Sequence, residues 1–556
     1  MRQSFPRSFP YQPRALHRKI WAPALAVGLV MLTAACQQVQ VAPETARGSD
    51  VTSAPIGDRT IREGGDLVMA LSAEPDRLDP TTSSSLYTRY VMQTMCQKLF
   101  DIDANGDIVP QLATALPTTS SDGLTVSIPV MEGAVFADGT ELNADAVKQT
   151  IERGLSLPGS SRRSELGPIT AVTATDPTTV TISYSEPFAP ITAALADRAG
   201  MIMSPTALAS AGDAFGDSPV CVGPYKFADR VPQTSITVER DPLYYDAENV
   251  HLDSITYRII SDSNIRAANL RSGDVQVADT ISTQDIGALS EEPAIGILQV
   301  GSLGYQAVTF NLGNTAGVGA PVGVIDTPLA TERAIRQAFS MSVDRAALVS
   351  SVFSDYVDVA CSPIAANSPF STPASEACPT FDPAAARQML VDAGVTTPFP
   401  VTMEVSNSPD TIRFAQALQA SVAESGFELA ISPIEYSTLL DVQTRGDFAS
   451  LQLGWSGRVD PHGNMFNFLS TGGNNNYSGY SNAEVDALLT EASQTTDIDT
   501  RAELYGQAIT IVQEDNPVVY LYRQRSLTAY STSIAGVETF ADGVVHLSGA
   551  AFVEAE

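Results

Sequence analysis

Lysine is scarce in this chain: of 556 residues only Lys19, Lys98, Lys148 and Lys226 carry an ammonium. Histidine is as rare, at His17, His251, His462 and His546, and tryptophan rarer, at Trp21 and Trp455. The histidines lie far apart, so none forms the closely spaced pair of a zinc helix. No Gly-rich loop ending in Lys-Ser/Thr is present to cradle a phosphate, which argues against a nucleotide-driven enzyme. Gly454-Trp455-Ser456-Gly457 misses the Gly-x-Ser-x-Gly nucleophile elbow by one position. No pair of carboxylates is marked out for acid–base work. These absences favour a binding protein over an enzyme, with no cofactor and no resident metal. The 63 acidic against 32 basic residues would repel nucleic acid and anionic membrane surfaces.

No apolar run reaches membrane-spanning length. Ile20–Ala35 is the nearest, and it stops abruptly at Cys36. Arg2, Arg7, Arg14, Arg18 and Lys19 precede it, and no acid occurs before Glu44, which is the layout of a secretory signal over 1–36. Leu32-Thr33-Ala34-Ala35-Cys36 resembles a bacterial lipobox, with Leu one position further from the Cys than in the commonest pattern. That resemblance implies acylation at Cys36 and a lipid-anchored protein of the periplasm or cell envelope; ordinary cleavage near Ala35 is the alternative. Residues 37–59 are rich in Pro, Ser, Thr and Ala and read as a flexible tether. With the leader bases removed, 27 basic residues face 63 acidic ones.

The remaining body is large enough for more than one domain, and 44% of the residues are hydrophobic. Apart from Cys36 the cysteines are Cys96, Cys221, Cys361 and Cys378, an even number for an oxidising compartment. Cys361 and Cys378 flank a Pro/Ser/Ala loop that a bridge would close. Cys96–Cys221 then follows by elimination, with buried free thiols as the rival for that pair.

Strand and helix signals alternate along the body, which makes the class α/β. Alternating apolar residues predict strands at 67–71, 124–130, 180–184, 257–260 and 307–311. Helical spacing over 143–155 puts Val147, Ile151 and Leu155 on one face. Asp382-Pro383 is a helix start and Ala393-Gly394 its end, and Gly273 stops another helix over 264–271. Residues 401–434 read as strand, helix, strand. Ser481–Glu484 and Thr500–Glu503 each match a capping box.

One stretch stands apart: Gly454-Trp455-Ser456-Gly457-Arg458-Val459-Asp460, after a buried strand over 449–453. A flat indole, two opposite charges and thin backbone suit a pocket wall. A core Trp with a solvated Arg–Asp turn is the bland alternative.

Ordered motifs then carry a family resemblance over nearly the whole body, from Gly64 to about Gly536. They include Leu78-Asp79-Pro80, Phe136-Ala137-Asp138-Gly139-Thr140, Gly223-Pro224-Tyr225, Leu270-Arg271-Ser272-Gly273-Asp274, Val343-Asp344-Arg345 and Asn476-Tyr477-Ser478-Gly479-Tyr480. In this order and spacing the chain resembles the family 5 extracytoplasmic solute-binding proteins of ABC transporters, which include peptide, glutathione and nickel-chelate binders. The resemblance implies a periplasmic-binding-protein-like type II fold in its large three-lobed form, with two halves around a hinge. Lobe I would comprise 60–98, 222–303 and 523–556, with a small lobe, 99–221, inserted; lobe II would be 304–522. A monomer would capture a peptide-like solute between the halves and hand it to a membrane permease. By position the resemblance implies ligand contacts from Ser84, Ser85, Leu86, Tyr87, Tyr305, Trp455, Ser456, Gly457, Asn475 and Tyr522. Peptide-binding relatives place an Asp at the position of Arg458, where it meets the ligand's ammonium. Arg458 with Asp460 would instead clamp a zwitterionic or acidic solute, or else the two pair with each other. His462 is the one residue favouring a metal-chelate receptor of the same fold, and an exported α/β hydrolase is a further rival.

Overall fold

The strand at 67–71 has one run of fully buried positions and needs neighbours on both sides. In a computed structural model, which describes residues 49–554, it is the parallel centre of a seven-stranded sheet. Asp66–Leu71 lies between Ser254–Ile259 and Val277–Ala278, in parallel with both. Antiparallel strands extend this sheet to Tyr225–Val231 at one edge and Ile295–Gly301 at the other. A second, six-stranded sheet contains Tyr305–Phe310, Val518–Arg523 and Ser450–Trp455, and continues through the parallel pair Phe399–Ser406 and Phe427–Ile434. A four-stranded antiparallel sheet is built entirely from segments between 118 and 184.

Hydrophobic packing groups these sheets. Leu67, Met69 and Val91 of the seven-stranded part share one continuous core with Phe100, Phe136 and Ile182 of the inserted part. The six-stranded sheet has its own core, around Val308, Phe339, Phe414 and Phe427. Its helices start where their caps place them: Asp382 accepts from the Ala385 amide at 2.8 Å ahead of Pro383–Asp392, and Ser408 caps Pro409–Ala423.

Several local expectations shift. The helix Ala483–Gln494 is capped by Asn482 and not by Ser481, and Ile498–Asp515 by Asp497, three residues before Thr500. At the first, Asn482 takes the Glu484 amide that the Ser481 hydroxyl was expected to take; at the second, the helix begins earlier, with Asp497 accepting from the Thr500 amide and hydroxyl. Residues 49–59, read as the end of a flexible tether, are docked. Val51 pairs with Gln299 through two 2.9 Å backbone bonds, Ala54 is buried, and Asp50 forms an ion pair with Arg525. The open edge of the seven-stranded sheet supplies the unpaired backbone that holds this segment. The signal, Cys36 and the rest of the tether lie outside the described residues. Among the described residues no helix is long and apolar enough to cross a membrane.

The chain passes between sheets at two kinds of joint. Helix Leu86–Met95 leads towards the inserted lobe, and the return runs through 221–224. Here Cys96 and Cys221 form a disulfide, and the Gln97 amide donates to Val222 O at 2.7 Å. Gly223 lies so close to this helix end that a Cβ would come 2.2 Å from Met95 O, which explains a glycine there. The second joint, between the seven- and six-stranded sheets, crosses at 302–304 and at 524. There Arg523 donates to Gly304 O at 2.8 Å and to Ser362 O at 2.7 Å. Cys361–Cys378, the second disulfide, closes the adjacent loop.

Candidate functional site

In both large sheets the parallel strands end on the same side, and the residues just past their carboxyl ends face one another. Ser72 and Ala73 follow Asp66–Leu71; Asn407 and Ser408 follow Phe399–Ser406; Glu435 and Tyr436 follow Phe427–Ile434. All of these, with Trp455 and Ser456, line one cleft of about 370 Å³. Ligand sites of open α/β sheets lie at this end of the strands.

The walls are aromatic with a neutral polar fringe. Tyr87 meets Tyr436 across the cleft, edge to face at 5.2 Å. Burial pushes the Tyr436 hydroxyl up to about 12, so it remains a hydrogen-bond donor at neutral pH. Trp455 packs edge to face on Phe468 at 4.9 Å, and its Nε1–H donates to Asn464 Oδ1 at 3.0 Å. The charges on the walls are engaged. Glu74 accepts from Arg230, Arg266 donates to backbone carbonyls, and Asp410 pairs with Arg413 and accepts from Ser282 across the cleft at 3.0 Å.

The expected ligand residues fall into two groups. Ser84, Leu86, Tyr87, Tyr305, Trp455, Ser456 and Tyr522 line the cleft. Ser85, Gly457, Arg458, Asp460 and Asn475 are not among its lining residues. Ser85 is fully buried, and its hydroxyl accepts from the Tyr87 amide as a helix cap. The loop around it is wound on Asp76, which accepts from Ser84, Ser85 and Thr88. Gly457 is where the loop touches the hinge: a Cβ there would lie 2.4 Å from Gly304 N. Asn475 is buried in the loop after the cleft, its amide donating to Asn467 O.

The Arg458–Asp460 clamp is not formed, and neither do the two pair with each other. Asp460 is held by Arg501 in a two-pronged pair at 2.9 and 2.7 Å. Arg458, 8% exposed, stacks its guanidinium 4.2 Å over the Trp455 ring and pairs with Asp197 of the inserted lobe at 2.6 Å. Burial by itself would raise the Asp197 carboxyl, but Arg458 and Arg89 hold it well below the usual carboxylate range. His462 also lies outside the cleft. It is stacked on Phe466 at 4.5 Å, edge-on to Phe188 at 5.2 Å, and burial pulls its imidazole down to about 4. Among the described residues no group of three or more His, Cys, Asp or Glu is arranged to hold a metal ion.

Asp197, Arg89, Tyr436, Phe468 and Tyr477 escape a reading of the sequence. For Tyr436 the available signal is its place immediately after a parallel strand. Asp197 has no local signal at all, since its partners lie 108 and 261 positions away.

Comparison with known proteins agrees with this architecture. A family model for bacterial extracellular solute-binding proteins, family 5, matches residues 107–477. The glutathione-binding protein GsiB of Shigella flexneri serotype 5b is 28% identical over 484 residues, covering 85% of this chain and 91% of that protein. GsiB of Escherichia coli K12 matches to the same extent. Among solved structures, the Escherichia coli murein tripeptide binding protein MppA superposes with a TM-score of 0.81 at 20% identity, over 89% of this chain and 100% of that one. The Bacillus subtilis oligopeptide-binding protein AppA, in complex with a nonapeptide, gives 0.80 at 22%, with the same coverage. NikZ from Campylobacter jejuni, in complex with Ni(L-His), gives 0.76 at 22%, over 87% and 99%. These likenesses show the fold, an α/β periplasmic-binding-protein architecture of the type II class. With a cleft between two halves and a family match over most of its length, the chain belongs to the bacterial extracellular solute-binding proteins of family 5.

Proposed function

We propose that this protein captures a small peptide-like solute in the cleft beside Trp455 and delivers it to the membrane subunits of an ABC importer. The observation that carries the reading is the cleft itself, about 370 Å³ and lined from both halves. That is at the small end of the roughly 300–1,000 Å³ of ligand pockets, and it suits a di- or tripeptide-sized guest better than the nonapeptide of AppA. The curated relatives are named for glutathione and one solved neighbour for a murein tripeptide, which supports the same size class. Ligand contact is assigned to Ser84, Leu86, Tyr87, Tyr305, Trp455, Ser456 and Tyr522. Aromatic faces would cover apolar surface, and the amides and hydroxyls would take the peptide groups. The family binds solutes for transport, so the protein is no enzyme, and His462, outside the cleft, lends no support to a metal-chelate ligand.

The moving parts in this reading are lobe I (60–98, 222–303 and 523–556) with the inserted lobe (99–221) on one side, and lobe II (304–522) on the other. Closure about 302–304 and 524 would exclude water and strengthen the polar contacts inside. Outside the cytoplasm the monomer would be held to the membrane through a lipid on Cys36. Mass spectrometry of the solute released by denaturing natively purified protein tests the proposal. A stoichiometric peptide-like compound is expected; a metal complex or a sugar in its place would overturn it.

A further inference from the structure

Arg458 and Asp197 belong to opposite sides of the cleft, and neither touches it. Asp197 stands ready on its own side. Its Oδ1 accepts from Arg89 Nε at 2.9 Å, and Arg89 is itself tied to Asp542 at 2.6 Å. The remaining oxygen, Oδ2, lies 2.6 Å from Arg458 Nη2, with Arg198 Nε further off at 3.8 Å. Beyond this ion pair, neither Oδ2 nor Nη2 has a hydrogen-bond partner, and both residues are less than 10% exposed.

Arg458 is equally fixed on its own side. Asn464 accepts from both the Trp455 indole (3.0 Å) and the Arg458 amide (2.7 Å), and returns a 2.9 Å bond to Arg458 O. The indole that lines the cleft and the guanidinium that leaves it are thus parts of one braced loop, stacked on each other. Backbone contact also joins the two sides nearby, where the Ala189 amide donates to Ser493 O at 2.8 Å.

We propose that Arg458 is a positioning residue for closure: it latches lobe II onto the inserted lobe through Asp197 and couples a solute resting on Trp455 to that latch. The physical reason is a difference between states. In the closed form each charge is withdrawn from water and satisfied by the other; in the open form water reaches both. Removing one partner therefore penalises the closed form: Asp197→Asn leaves Arg458 buried without its carboxylate, and Arg458→Gln leaves Asp197 Oδ2 buried without its donor while Oδ1 keeps Arg89. Removing both leaves neither half of the interlobe pair unmatched, and Arg89 keeps Asp542 as a carboxylate partner, so the two losses do not add.

The proposal rests on the reading of the cleft as one that closes, but its test needs no ligand. Spin labels on exposed positions of the inserted lobe and lobe II, Asp213→Cys and Glu428→Cys, report the interlobe distance. The parent protein is expected to show a closed-distance population. Arg458→Gln and Asp197→Asn should each lower the closed-to-open ratio by about tenfold or more, and the double variant by no more than the worse single. If Asp197→Asn fails to fold, having lost Arg89's partner too, Arg458→Gln alone decides. An unchanged distribution in Arg458→Gln, losses that multiply in the double variant, or no closed population in the parent would overturn the latch. A solute recovered from the native protein alongside any of these results would leave the binding function standing and remove the latch only.

Discussion

The two joints in this chain are built differently. The neck between lobe I and the inserted lobe is covalent: Cys96–Cys221 ties its two strands, Gly223 packs against Met95 O, and one hydrophobic core runs through both parts. Among the described residues the joint between the large sheets has no disulfide across it, only the chain crossings themselves. Arg523, 7% exposed and pulled down to about 10 by burial, holds the crossings by donating to Gly304 O, Ser362 O and Ile364 O. Carbonyls around a guanidinium can reorient as the crossings turn, whereas a disulfide over a shared core cannot. On the proposed division into lobes, this is where a two-part binder would put its stiffness: the neck would keep lobe I and the inserted lobe as one jaw, and the softer joint would serve as the hinge.

Breaking the neck should have the largest effect. Replacing Cys96 and Cys221 by Ser opens a loop of sequence separation 125, against 17 for Cys361–Cys378. Loop-closure entropy then predicts a loss of about 2–5 kcal/mol, and more at the neck than at the short loop. Calorimetric melting of the two double-serine variants checks the ranking; an equal or reversed order would deny the neck its special stiffness.

Softening the hinge comes next. Arg523→Ala strips three buried carbonyls of a charged donor and should cost about 2–3 kcal/mol in chemical denaturation. Arg523→Lys should recover only part of it, because an ammonium cannot reach forked acceptors.

Acidification gives the smallest effect. His462 sits where the inserted lobe meets lobe II, packed on Phe466 and Phe188, with Asp460 and Arg501 acting on it by charge. Glu165, Asp197 and Arg458 surround the same small cavity. Its imidazole is held down to about 4 by burial in the closed form, while an opened interface would return it towards its ordinary value. The open form then binds a proton that the closed form refuses. Closure is fully favoured above about pH 6.5 and weakens as the pH falls towards 4, on the order of tenfold at pH 5. Interlobe distances measured between pH 7.5 and 5 check this, and His462→Phe should flatten the dependence.

Much of this architecture is readable from local chemistry. Asp382-Pro383, Gly273 and the strand–helix–strand over 401–434 are decided by caps and periodicity, and they fall where expected. Where two cap candidates sit side by side, as at Ser481 and Asn482, the sequence does not choose between them. The helix His462–Leu469 is hidden because His-Gly-Asn at its start reads as loop, and its formation depends on burial of Met465 and Leu469. Trp455 stands out as a lone indole among glycines. The fate of Arg458 is settled by Asp197, on a different lobe, and no pattern near either residue announces the pair. The walls of the cleft were thus more legible than the contacts that close it.

The most direct test of the closing cleft is Trp455 emission in a chain lacking Trp21, titrated with glutathione and a set of di- and tripeptides while the radius of gyration is followed by X-ray scattering. The account predicts, for at least one solute, a saturable change in emission with a matching contraction. Emission that no member alters, or that changes while the radius stays constant, would contradict it.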